Sequence, residues 1–527
     1  MFRSLSDKFN TLLTHQRLVA LRRSVKKGAH LTGAQPIVFF NASARLSHLS
    51  QNAAFALLAS HGLNLAGLEI IHFVCDSGMS RCVLGINPDD LTQPPPCAGC
   101  VAQSKRMFGV PGVKWFGYAA DEKLRAEIDL LDVDTLKQFE YNRVRLGELV
   151  LPGIRWALRR HNLEDSEPIR LLYRECILSA YNVFQEFSHL LEHVRPQAVL
   201  VFNGIMFPEA VARQAALGKG IRVITHEVGL RPLSAFFTDG QATAYPLEIP
   251  SDFALDARQE KQLDEYLERR FSGQFTMAGV RFWPKMQEID RQLASKAGQF
   301  KRLVPVFTNV IFDTSQVHAN SIFRDMFTWL DEVAGLIQRN GSTLFVIRAH
   351  PDEMRPGTRK QSRESVKQWI TQSRLDDLHN VTFIDSGEYV SSYELIKRAH
   401  FVMTYNSSIG LEASIMGKPV LAAGAARFTS FETVHIPKSV EEFKRLVQEF
   451  LDSDAVEHPP EFTKEARRVL YFQLFKTALP FVEFLTPHQR PGYVHLRSID
   501  PQRLSPENSL AVRAIHKGVT ERVPFLL

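Results

Sequence analysis

The chain of 527 residues is 45% hydrophobic and 23% charged, a globular balance that excludes wholesale disorder or a fibrous polymer and predicts two domains of about 200 to 250 residues each. The formal charge of +6 sits entirely in residues 1 to 27, where seven basic side chains meet Asp7 alone, so the remaining chain is neutral. That excludes a general nucleic-acid-binding surface, which needs a basic stripe on the folded domain.

The first 29 residues read as a basic amphipathic N-terminal arm, with Phe2, Leu5, Phe9, Leu12, Leu13, Leu18 and Leu21 gathered by a helical repeat. Such a helix either docks on its own domain or lies on an anionic membrane surface, giving peripheral contact. No run of 18 apolar residues exists and no secretory signal is evident, so the expectation is a cytoplasmic protein, at most at the inner face of the membrane.

Residues 30 to 300 read as one α/β domain. PIVFF (36 to 40), a helix through 53 to 58 and LEIIHFVC (68 to 75) open a parallel sheet. A helical insertion occupies 121 to 194; QAVLVFNG (197 to 204) and IRVITHEVG (221 to 229) then resume the βαβ rhythm. A polar helical connector, roughly 255 to 300, leads to a second domain, 301 to 455, with strands at 304 to 309, 343 to 351, 380 to 385, 400 to 405 and 418 to 424. A helical tail, 456 to 527, closes the chain. The predicted class is α/β, with two Rossmann-like domains facing a cleft.

Four of the five cysteines, Cys75, Cys82, Cys97 and Cys100, follow a C-x6-C-x14-C-x2-C spacing. The closing C-x2-C is a chelating turn, and four thiolates saturate tetrahedral zinc; free or disulfide-linked thiols and an iron–sulfur cluster are the other readings. Cys176, alone in a helical pattern, reads as a small core residue.

Two strand ends carry the candidate chemistry. In YNSSIGLEASIMGKPVLAAG (405 to 424), Ser407 and Ser408 begin a helix, Gly410 lets the backbone come close and Glu412 sits one turn inside. Backbone N–H groups and hydroxyls at such a point suit phosphate, and an acidic residue can accept from a ribose diol. The plainer reading is that Ser408 caps the helix and Gly417 ends it. In RAHPDE (348 to 353), Arg348 and His350 alternate on a strand and share a face, where they could meet a phosphate.

RAHPDE, SSYELIKRAHFVMTYNSSIGLEASIMGKPV and TNVIFDTS (308 to 315) together resemble the C-terminal half of capsule-polysaccharide biosynthesis glycosyltransferases, and are similar in their HP and serine motifs to capsule Kdo transferases and bacterial sialyltransferases. The resemblance implies a GT-B fold and transfer of a sugar from a nucleotide-sugar donor, possibly CMP-linked, to a capsule or surface saccharide or glycolipid acceptor. It also implies that His350 and Pro351 contact the nucleotide phosphate or cytidine, Ser407 and Ser408 the phosphate, and Glu412 the ribose. THEVGLRPLSAFFTDG (225 to 240) resembles the same family's E-x-G-x-RP segment through Glu227, Gly229, Arg231 and Pro232. An acceptor hydroxyl needs a base within hydrogen-bond reach. Glu227 is the first candidate, Asp239 the second and His226 the third.

Neither Asp-x-Asp pair, at 132/134 or 452/454, falls at a strand end, so transfer is expected to need no metal cofactor, with Arg348, His350 and the helix start offsetting phosphate charge. A sugar-nucleotide epimerase, a polyol-phosphate transferase and a non-catalytic glycan- or nucleotide-binding assembly protein are the alternative functions for this fold.

Overall fold

The computed structural model describes the chain apart from residues 1, 43–47, 110–111, 275–286 and 355–360, together with the side chains of 2–8, which include Phe2 and Leu5 of the arm. Two sheets organise it. In the first domain, β1 (Ile37–Asn41), β2 (Ile70–Cys75), β3 (Val113–Phe116), β4 (Ala198–Phe202) and β5 (Arg222–Val228) pair in parallel in the order β3-β2-β1-β4-β5. In the second, β7 (Arg302–Phe307), β8 (Thr343–Arg348), β9 (Val381–Ile384), β10 (Val402–Thr404) and β11 (Val420–Ala422) repeat that order as β9-β8-β7-β10-β11, again in parallel. β6 (Ser234–Thr238) extends the first sheet by turning back antiparallel on β5. The two Rossmann-like halves stand as predicted.

The central strands are apolar on both faces. All six residues of β8 are buried, as helices covering both sides of a parallel sheet require. The helical insertion is present as Glu122–Ile128, Val133–Lys137, Leu146–Leu158 and the long Glu167–Val194. Its apolar stripe, with Leu172, Tyr173, Ile177 and Phe187, packs with Phe40, Phe73 and Val201 in one core.

The tail contains more than helix. After Pro460–Tyr471 packs in the second domain's core, β12 (Leu479–Pro480) pairs antiparallel with β6, and β13 (Leu485–Pro487) forms a hairpin with β14 (Val494–Leu496). The helix Leu510–Glu521 then packs in the same core as Gln51–Leu65, against the first sheet.

The basic arm forms the helix Phe2–Gly28 and is docked. Leu18, Leu21 and Val25 are buried in the first-domain core, Arg17 Nη1 donates to Leu496 O at 2.8 Å and Arg22 Nη1 to Lys105 O at 3.1 Å. Each buried aliphatic side chain is worth about 1.5–3 kcal/mol, against about 1 kcal/mol for a basic residue near an anionic surface, so docking wins for the apolar side. Arg23, Lys26 and Lys27 stay exposed, as do Phe9 and Leu12. No helix among the described residues is long and apolar enough to cross a membrane.

Candidate functional site

A cleft of about 440 Å³ opens where the second domain faces the segment following β6. One wall is built from the C-terminal ends of parallel strands: Asn309 and Asp313 after β7, His350 and Asp352 after β8, Asn406, Ser407 and Ser408 after β10, and Arg427 after β11. The opposite wall carries Thr243 and Tyr245. The strand order reverses between β7 and β10, so the site lies at the topological switch point, where open α/β sheets leave a crevice.

Each group is held by its local sequence. Pro351 follows His350 and supplies no N–H, which ends the ladder of β8. Asp352 N–H donates to His350 Nδ1 at 3.1 Å, so the neutral ring carries its proton on Nε2. The Asn406 side-chain oxygen accepts from Asn309 Nδ2 at 2.8 Å and Gln316 Nε2 at 3.1 Å, tying the ends of β7 and β10 together. Ser408 precedes the helix Ile409–Ile415 without a capping bond from its hydroxyl, so the simple capping role does not describe it. Gly417, with φ +73°, does end that helix.

Arg427 lies 4.1 Å from the centre of the Tyr245 ring, a cation–π contact joining the two walls. Tyr245 in turn stacks on Phe236 of β6, and its hydroxyl donates to Val228 O. Thr243 Oγ1 and His318 Nε2 make a second link across the cleft at 2.8 Å. The pocket therefore offers a guanidinium, two imidazoles, four serine hydroxyls and two amides beside two carboxylates. That set can bind an anionic ester through charge-assisted bonds and orient a polyhydroxylated ring.

Several expected site residues lie elsewhere. Glu412 is 3% exposed, its oxygens taken by Arg270 Nη2 at 2.5 Å and the Tyr393 hydroxyl at 2.6 Å. Burial opposes the Arg270 charge, and the adjacent carboxylate more than offsets that opposition. Glu412 thus ties the connector helix Ala257–Phe271 to the second domain instead of facing the cleft. Arg348 is also internal: Nη1 and Nη2 donate to Asp385 O and Glu388 O, both at 2.8 Å, and burial draws its pKa down to about 10. Gly410 serves packing, since a Cβ there would stand 3.0 Å from Thr404 and 3.1 Å from Phe428. Gly410 and Leu411 N–H are spent on Ser407 O and Ser408 O, at 3.1 Å each.

The three candidate bases separate as well. Glu227, near the end of β5, accepts from Asn203 Nδ2 at 2.8 Å and Val228 N–H at 2.9 Å, directly behind the Tyr245 contact. Asn203, at φ +62°, is braced by its own side chain accepting from Ile205 and Met206 N–H. Asp239 lies outside the cleft in a paired contact with Arg222, 2.7 and 2.9 Å, beside the C-terminal segment. His226 is fully buried between Phe202 and Phe237; among the described residues neither ring nitrogen has a hydrogen-bond partner, and burial lowers its pKa to about 3.

Arg427, Tyr245, Asn406 and Asp352 were not singled out by motif reasoning. Asn309 and Asp313 sit inside TNVIFDTS, whose resemblance carried a signal without naming them. Among the described residues no three potential ligand side chains are gathered around a single ion position.

Residues 254–449 match the model of the capsule polysaccharide biosynthesis protein family, and this is the segment that builds the second-domain wall. Over this segment the match agrees with the motif resemblance. A curated relative, Protein FixF of Sinorhizobium fredii, is 24% identical over 284 residues, 48% of this chain. The chain spans 58% of that relative's length. Solved structures with similarity include a Thermosulfurimonas dismutans KpsC beta Kdo 2,4 transferase, at 12% identity and TM-score 0.35, covering 54% of this chain and 80% of that one. The UDP-GlcNAc 2-epimerase from Neisseria meningitidis matches at 14% and TM-score 0.23, covering 83% and 98%.

Two outcomes follow from this geometry. Glu412→Ala leaves the buried Arg270 without its counter-charge and is expected to cost about 3–5 kcal/mol in denaturant unfolding; a variant as stable as the parent would return Glu412 to the list of ligand contacts. His226, favoured neutral in the fold, contributes stability that is full above its ordinary value of 6.5 and is lost as pH falls towards about 3. At pH 5 the loss is about 2 kcal/mol. His226→Phe should therefore flatten the fall in unfolding midpoint between about pH 7.5 and 5, and an unchanged slope would refute the assignment.

Proposed function

We propose that the chain is a glycosyltransferase of capsule or surface polysaccharide assembly, moving a sugar from a nucleotide-sugar donor to a saccharide or glycolipid hydroxyl. The observation that supports it best is the shared cleft. Its anion-binding groups sit on the family-matched domain at the switch point, and Tyr245 and Thr243 of the facing segment close it from the other side.

In this reading Ser407, Ser408 and Arg427 receive the nucleotide phosphates, and His350 donates from Nε2 to a phosphate oxygen. These groups stabilise the negative charge that grows on the leaving nucleotide as the glycosidic bond breaks. In this reading the Arg427 charge and the neutral donors beside it take the part a divalent ion plays in other transferases, and transfer proceeds without a metal cofactor. Asn309 and Asn406 are placed to bind sugar hydroxyls. Glu227, oriented by Asn203 and the Val228 N–H, takes the proton of the attacking hydroxyl from the first-domain side.

Calorimetric titration with CMP, CDP, UDP and GDP and their sugars is expected to show binding to at least one nucleotide, weakened about tenfold or more in His350→Ala, the loss of one charge-assisted bond. No binding to any of them would remove the main support for an enzyme. With the donor known, Glu227→Gln should keep donor affinity and lose transfer by about 10²–10⁴-fold. Full turnover in that variant would move the proton acceptor to Asp313 or Asp352 on the cleft wall.

A further inference from the structure

Away from the cleft, the four spaced cysteines converge. Cys75 ends β2, Cys82 follows in the next loop, and Cys97 and Cys100 occupy the first turn of the helix Cys97–Met107. All four line one small cavity of about 30 Å³, whose remaining wall is largely apolar, including Ala42, Met79 and Val101. The cavity shares no lining residue with the cleft and has no Lys or Arg on its wall.

The backbone turns tightly at two of the sulfurs. Cys75 and Cys82 each begin a C-x-x-G turn. Gly78 N–H donates to Cys75 Sγ at 3.1 Å, and Gly85 N–H donates to Cys82 O at 2.9 Å. Both turns require glycine: a Cβ would lie 2.3 Å from the Phe116 ring at Gly78 and 2.6 Å from Pro95 at Gly85. The four sulfurs thus share one largely apolar pocket with no cationic side chain on its wall.

We propose that Cys75, Cys82, Cys97 and Cys100 are the thiolate ligands of one thiophilic metal centre, a zinc ion or an iron–sulfur cluster. No three ligand side chains among the described residues already surround one point, so binding turns the sulfurs inward over the cavity they share. Cysteine needs only its single side-chain torsion to do this, and each thiol releases its proton to solvent as it ligates. The centre fixes the loop between β2 and the cysteine helix. Pro88 O in that loop accepts from Arg363 Nη1 of the second domain at 2.7 Å, and Asp89 forms an ion pair with the same arginine.

The test is metal and acid-labile sulfide analysis, with absorption spectra, of the full chain purified anaerobically without chelators. Expected is about one zinc per chain, or iron with matching sulfide and visible thiolate-to-iron absorption; either result supports the four-cysteine ligand set and says which centre it holds. The content should vanish in Cys97→Ser/Cys100→Ser and persist in Cys176→Ala, whose buried thiol lies outside the cavity wall. Wild-type protein without zinc or iron overturns the proposal, whether or not the double variant folds, and so does metal retained by a folded double variant.

Discussion

The parallel pairing of β7 with β8 on one side and β10 on the other is the constraint on which the site depends. Because these strands run the same way, their C-terminal ends emerge at one edge, and the reversal of strand order opens a gap there that no helix fills. Everything with chemical potential in the second domain is delivered to that gap by a loop of few residues. The tie from Asn406 to Asn309 and Gln316 keeps two of those loops in register, so the hydroxyls of Ser407 and Ser408 and the imidazole of His350 stand on rigid supports.

The first sheet repeats the strand order, yet its contribution to the cleft comes from a different device. β6 folds back on β5, and the chain leaving it swings Thr243 and Tyr245 across to the second domain. The ring of Tyr245 is then held from three directions: Phe236 beneath it, Val228 O at its hydroxyl and the Arg427 guanidinium on its face. A residue of one domain thus positions the principal cation of the other.

The apolar strands made the architecture legible in the sequence, because a doubly covered parallel strand must be almost continuously hydrophobic. The second-domain strands fall within a few residues of their expected bounds. β6, β12 and the tail hairpin escaped notice because their strands are only two to five residues long, and β12 joins the first sheet by pairing with β6 from far along the chain. At the site, spacing found the strand ends but not the direction of each side chain. Arg348 and His350 alternate on paper, while in the fold the strand ends between them, so the arginine turns into the 385–388 loop and the histidine faces the cleft. Glu412 misled for another reason: its partner Arg270 lies 142 positions earlier, and no local pattern announces an ion pair at that distance. Arg427, in an unremarkable AARFTS segment, gave no signal because its role depends on a tyrosine from the other domain.

The tail's return to the first sheet has a mechanical consequence. The chain passes between the domains twice, once after β6 and once before β12, and these two passages are laced together. Phe253 meets Phe472 edge-on at 5.3 Å, and Arg468 donates to Phe253 O and Pro250 O, each at 2.8 Å. Elsewhere the domains meet through smaller contacts: Glu364 with His161 and Asn162, Arg363 with Asp89, the two links across the cleft, and Trp156 packed against the second-domain core. A doubled strap in one place and a soft clasp in another resemble the spine and the fastener of a book cover. Opening about the spine leaves the strap intact, whereas sliding or twisting one domain over the other would tear it.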